Sequence, residues 1–228
     1  MSLTSTSSNR EQASGSNGGP ASSVVGVHVG SGSDPRPLGL MAFALGTLAV
    51  GMSTVGRFPA ASANGGIIPI SLVAAGTALA LASFWAFILG SSYLAGTFGI
   101  VAGYFFSFSV LLLGIIHKWF AIPPGDVHSV EDIFYIVWCC FFLALVVPSL
   151  RLPALYPLTA GFLAAYLALS ATSTYEGTGG SVTIAAGASI LAASLLLFWG
   201  YVACSLKALH AKVSLPEGPV LMPSTDGS

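Results

Sequence analysis

Six apolar segments follow one another between residues 38 and 206, and none carries Asp, Glu, Lys or Arg near its middle. Their spans are Leu38–Val55, Ile67–Leu89, Phe98–Phe120, Val130–Leu150, Pro153–Leu169 and Ser181–Leu206. At about 1.5 Å per residue, even the shortest approaches the roughly 30 Å of a hydrocarbon core. Only 7% of the 228 residues are charged, against about 25% in a soluble domain. A soluble fold of this size has no interior large enough for so much apolar surface. The pattern predicts an all-α membrane protein with six transmembrane helices per protomer.

The segments are separated by short breaks. The tightest is at Arg151, between Pro148 and Pro153 and Pro157. One kinked helix there would be too long for a single crossing, so the prolines predict a hairpin. Six crossings put both termini on one side. Arg10, Arg36, Arg151, Lys207 and Lys212 share that side, against Arg57 and Lys118 opposite. The excess of basic residues predicts cytoplasmic termini. Asp126, His128, Glu131, Asp132 and Glu176 then face outside. The domain reading is a disordered Ser/Gly-rich tail over 1–33, a transmembrane domain over 34–212 and a C-terminal tail over 213–228. The N-terminal tail has neither the apolar core of a signal peptide nor the basic residues of a transit peptide.

Composition narrows the function. A net charge of −1 gives no reason to expect a nucleic-acid partner. Cys139, Cys140 and Cys204 lie in apolar runs and read as packing residues, with no metal site and no cofactor expected. No phosphate loop, His/Glu metal pair or Ser/His/Asp set is present, so an enzyme is not expected. Ion pumps and voltage sensors need charges within their helices, and these helices lack them. His117, Lys118 and Trp119 close the third segment as an interfacial group.

Small residues four apart favour close helix contact in lipid: Ala42 and Gly46, Ala160 with Ala164 and Ala168, and Thr183 and Gly187. Interior hydroxyls such as Thr47, Ser83, Ser109, Thr159 and Ser194 bond back to their own helices or line a polar path. The aromatic run Tyr104-Phe105-Phe106-Ser107-Phe108 reads as core packing or as a hydrophobic constriction that gates by dewetting.

The stretch Asp34-Pro35-Arg36-Pro37-Leu38-Gly39-Leu40, followed by Phe43, opens the first segment. Thr97-Phe98-Gly99 after Gly96, Ala186-Gly187, and Leu215-Pro216-x-Gly218 follow in order. Together they resemble the acetate uptake transporter family, which includes bacterial succinate–acetate permeases and fungal acetate and ammonia-export proteins. The resemblance implies six helices per protomer, assembly as a hexamer, and a path for acetate or a similar small monocarboxylate, proton-linked or channel-like. It implies a constriction at Phe43, Phe106 and Leu163, at depths of roughly 8, 12 and 15 Å from one face. Asp34, Pro35, Arg36, Pro37, Leu38 and Gly39 would form the cytoplasmic mouth, and Thr97, Phe98 and Gly99 a secondary motif, in a protein of the plasma membrane. Four positions depart from the family pattern. Asp34 replaces Asn, Phe106 replaces the constriction Tyr, Phe84 falls where the second helix has Gln, and Ser91 where it has Glu. The lost polar groups keep two rival readings open: a pathway for ammonia or another neutral solute, and a non-transporting sensor or scaffold.

Overall fold

The computed structural model describes residues 34–56, 58, 60–173 and 180–222. The tail 1–33, Arg57, Glu176 and the last six residues lie outside the described residues. Among the described residues, six helices are long and apolar enough to cross a membrane: α1 (Arg36–Thr54), α2 (Ala63–Ile88), α3 (Ser92–Ile116), α4 (Val127–Ser149), α5 (Leu155–Ser173) and α6 (Ser181–Ala208). Pro37 lies in the first turn of α1, where a missing N–H leaves no bond unmade.

Hydropathy and hydrogen bonding mark different helix ends. The structure starts α3 at Ser92, six residues before the apolar run at Phe98, and extends α5 to Ser173. Ser, Gly and Thr residues lower hydropathy without stopping the backbone ladder. Conversely, α3 stops at Ile116, although apolar Trp119 and Phe120 follow. Lys118 turns left-handed there (φ 56°), and Trp119 N–H donates back to Gly114 O at 3.0 Å. The α2–α3 connection uses the same device. Gly90 takes φ 75°, and Ser91 N–H reaches Ala86 O at 2.9 Å. This 6→1 closure satisfies end carbonyls that lipid could not.

Pro69 lies inside the second helix, and the eight residues after it, Ile70–Thr77, are wound as π-helix. Proline removes one intrahelical donor and crowds the preceding turn. A wider turn relieves that crowding and rotates the following residues. The rotation brings Ala75 and Gly76 to their neighbours: a Cβ on Gly46 would lie 2.8 Å from the Ala75 Cβ, and one on Gly76 would lie 2.7 Å from the Phe106 ring.

Helix α1 packs chiefly on α6, while α2 pairs with α3 and α5 lies between α4 and α6. In lipid this association rests on close packing and interhelical hydrogen bonds. Glycines supply the packing. A Cβ at Gly39 would meet the Phe98 ring at 2.4 Å, one at Gly46 the Phe105 ring at 2.4 Å, and one at Gly187 the Val55 side chain at 2.6 Å. Hydroxyls supply the bonds. Ser83 Oγ donates to Ala95 O at 2.7 Å, and Ser194 Oγ to Ala44 O at 3.0 Å. Thr47 and Thr159 bond back to their own helices. Helix α4 differs from the rest: of its 23 residues only Phe142 and Ser149 are buried within the protomer.

Candidate substrate cavity

The three helix starts that share one end of the bundle also share one cavity. Arg36, Leu40 and Phe43 of α1, Tyr93, Thr97 and Phe98 of α3, and Tyr156, Thr159 and Leu163 of α5 all line it. On α5, Tyr156, Thr159 and Leu163 follow the i, i+3, i+7 rhythm of one helical face. The cavity has a volume of about 60 Å³, the space of about two waters at roughly 30 Å³ each. A monocarboxylic acid of four heavy atoms is of that size. Most of the wall is apolar.

Arg36 is the cation of this wall. Asp34 holds it: the carboxylate accepts the Arg36 backbone N–H at 2.9 Å and Nε at 3.1 and 2.8 Å, with an outer guanidinium nitrogen at 2.7 Å. Asp34 therefore caps the backbone and fixes the side chain together. Tyr156 stands beside the same guanidinium. The first N–H groups of α1 add positive potential at this end.

Two separate motifs meet here. The Phe98 ring fills the notch left by Gly39, so Asp34–Gly39 and Thr97–Phe98–Gly99 form one wall. Pro35 is buried and Leu38 points outward. Gly99 packs under Ser83, whose oxygen would lie 2.9 Å from a Cβ at that position. The Leu215-Pro216-x-Gly218 segment straps the same end. Trp199 Nε1 donates to Pro216 O at 2.9 Å, Ala154 N–H to Pro219 O at 2.9 Å, and Leu155 N–H to Glu217 O at 3.2 Å. Lys207 pairs with Glu217. Gly218 takes φ 89°, and a Cβ there would lie 3.0 Å from the Ala154 Cβ. Ala186 is buried and Gly187 packs on Val55, at the opposite end of α1.

Of the three constriction positions, the structure brings Phe43 and Leu163 to the cavity and places Phe106 elsewhere. Phe106 turns to Gly76 of α2. The aromatic that meets Phe43 from α3 is Phe105, edge-on with ring centroids 6.0 Å apart, and Phe142 of α4 stacks on Phe43 at 6.4 Å. One residue along a helix is a rotation of about 100°, enough to move a ring to another neighbour. Phe43, Phe105, Phe142 and Leu163 are each nearly inaccessible, and the first three form a continuous dry layer.

The other departures lie away from this cavity. Phe84 is 64% exposed, on an outer groove with Ser83 and Phe87. Ser91 immediately precedes α3, and its side chain makes no capping bond. His117 stacks on Trp119 at 5.6 Å, and His128 faces Glu131 at 3.7 Å. Residues that sequence reasoning left out are Tyr93, Ser149 and Tyr156 on the cavity wall. Only the i, i+4 spacing of Tyr93 and Thr97 hinted at a shared face.

The sequence profile of the GPR1/FUN34/yaaH family matches residues 20–221. No curated protein matches the chain in sequence. The solved structure of the bacterial acetate channel SatP superimposes with a TM-score of 0.71 at 18% identity, covering 81% of this chain and 98% of that one.

Proposed function

The chain belongs to the GPR1/FUN34/yaaH family, the acetate uptake transporters, and from that premise we propose that it passes acetate or a similar short monocarboxylate across the membrane, linked to a proton. The observation that carries this reading is the cavity. A guanidinium at its mouth attracts a carboxylate, the wall fits a small apolar tail, and Phe43, Phe105, Phe142 and Leu163 close it. A bare anion passing such a layer would be costly, whereas a protonated acid is neutral. That difference favours passage of the acid with its proton.

We place the cavity end in the cytoplasm and the protein in the plasma membrane. Arg36, Arg151, Lys207 and Lys212 are at or beside that end, which supports the orientation. Assembly into a homo-oligomer, a hexamer by family resemblance, is supported by the outer face of α4, which buries little within the protomer.

The test is uptake of labelled acetate into proteoliposomes, with and without an inward proton gradient, beside Leu163→Trp. Uptake raised by the gradient and abolished by the tryptophan is expected. Uptake blocked by the tryptophan but indifferent to the gradient would make the protein a channel. No uptake by folded protein overturns the acetate reading. The apolar wall beyond Arg36 also suits ammonia, and ammonium-pulse alkalinisation of the same vesicles tests that second reading.

A further inference from the structure

The α4–α5 hairpin supplies one side of the cavity wall, with Leu145 and Ser149 from α4 and Tyr156, Thr159 and Leu163 from α5. Helix α4 packs chiefly on α5, and α5 on α6, so the hairpin joins the bundle along one seam. The first N–H groups of a helix have no partner within it. At the start of α5 the C-terminal segment provides them. Ala154 N–H donates to Pro219 O at 2.9 Å and Leu155 N–H to Glu217 O at 3.2 Å, while Met222 N–H donates to Leu150 O at 3.0 Å. Between these bonds, Pro153 and Val220 face one another as an antiparallel bridge.

The same segment is also bound to α6. Trp199 Nε1 donates to Pro216 O at 2.9 Å, and the Lys207 ammonium pairs with the Glu217 carboxylate. Residues 216–222 therefore tie α6 to the tip of the hairpin. The ion pair is the part of this tie that a small chemical change can undo. The Lys207 side chain is 52% exposed, but that of Glu217 is only 7% exposed. Glu217 acts on Tyr156 and Cys204. Arg36, which acts on the same two side chains, is already held by Asp34. Without Lys207, the Glu217 carboxylate would be almost dry and unpaired. Such a charge is costly, and it regains water when the segment lifts away.

We propose that residues 216–222 form a clasp that holds the cavity mouth narrow, with the Lys207–Glu217 pair as its latch. Clasped, the start of α5 stays bonded to the segment, and Tyr156, Thr159 and Leu163 stay across from Leu40 and Phe43. Unclasped, the hairpin turns about the α5–α6 seam and the mouth widens. The tip carries exposed Arg151, so water reaches it and replaces the bonds that are let go. The clasp deepens the transport reading, whose path it narrows.

Two readouts test it on the full-length protein in nanodiscs, with melting temperature as the check on folding. Amide hydrogen exchange at Ala154, Leu155 and Met222 reads the clasp, because the clasp bonds shelter those N–H groups. Reaction of Thr159→Cys with a small water-soluble thiol reagent, resolved by site with mass spectrometry, reads access to the cavity. Both are measured with the latch intact, in Lys207→Gln and in Trp199→Phe. Lys212→Gln, which removes an exposed charge outside the clasp, is the control. Lys207→Gln should speed exchange at these amides about tenfold and labelling at position 159 about fivefold, as local opening does. Trp199→Phe should speed both by less, and Lys212→Gln should change neither. Exchange unchanged in Lys207→Gln, or raised equally in Lys212→Gln, overturns the latch. Faster exchange with labelling unchanged overturns the hold on the cavity. Neither readout uses acetate, so a protein that passes none loses the transport reading and still has its clasp decided by these rates.

Discussion

Asp34 and an incoming carboxylate compete for the same guanidinium. The pair is partly exposed, so it adds only about 0–1 kcal/mol to stability. Its effect on binding is larger, because a substrate anion must share or displace Asp34. Asp34→Asn keeps the oxygen that caps Arg36 N–H and removes the charge. We expect it to lower the half-saturating acetate concentration by about three- to tenfold, equivalent to about 0.7–1.4 kcal/mol. Arg36→Gln should raise that concentration by a similar factor. The concentration dependence of uptake at fixed pH checks both. An acidic side chain just before a helix can cap its first N–H groups and can also oppose an incoming anion. In the structure one carboxylate does both, because Pro35 spaces it two residues from the N–H it accepts.

Element by element, the glycines of α1 set how near its neighbours come. A Cβ at Gly46 would press both on the Phe105 ring and on the Ala75 Cβ, which is fixed to the α2 backbone. Neither can yield without moving a helix. Gly46→Ala should therefore destabilise the bundle by about 1–3 kcal/mol, as overpacking does, and lower the melting temperature in detergent. Because Phe105 also backs Phe43, the same variant should disturb the dry layer and change flux. The spacing of Ala42 and Gly46 was legible as a close-contact motif. Its partners were not, because they depend on the π-wound turn after Pro69. That turn rotates α2 by an amount that neither hydropathy nor small-residue spacing encodes.

The whole bundle has one charged, strapped end and one dry middle. The C-terminal segment, the α4–α5 hairpin and the start of α1 all meet at the cavity mouth. If that end is cytoplasmic, Lys212→Cys should react with a membrane-impermeant thiol reagent only after cells are permeabilised. Labelling of intact cells would reverse the orientation and put the Arg36 mouth outside. The same arrangement brings motifs distant along the chain into contact. Gly39 and Phe98 are far apart in sequence and touch in space, and Gly218 closes over Ala154 beside them.

Hydropathy alone determined the all-α class and the six crossings. Lipid offers backbone polar groups no partner, so long uncharged runs have few alternatives to helices. The family resemblance pointed to the Arg36 end as the mouth and to Phe43, Phe106 and Leu163 as the constriction. Tertiary structure decided which aromatic completes the dry layer, since Phe105 and Phe106 are equally apolar and differ by about 100° of rotation. It moved Phe84 to the outer face and so took that substitution off the cavity wall. It also decided that Tyr104 lies buried among five rings, with Tyr166 of α5 as its polar neighbour. In the sequence that tyrosine is one of four aromatics in five residues. Only packing against five other rings gives its oxygen a fixed direction.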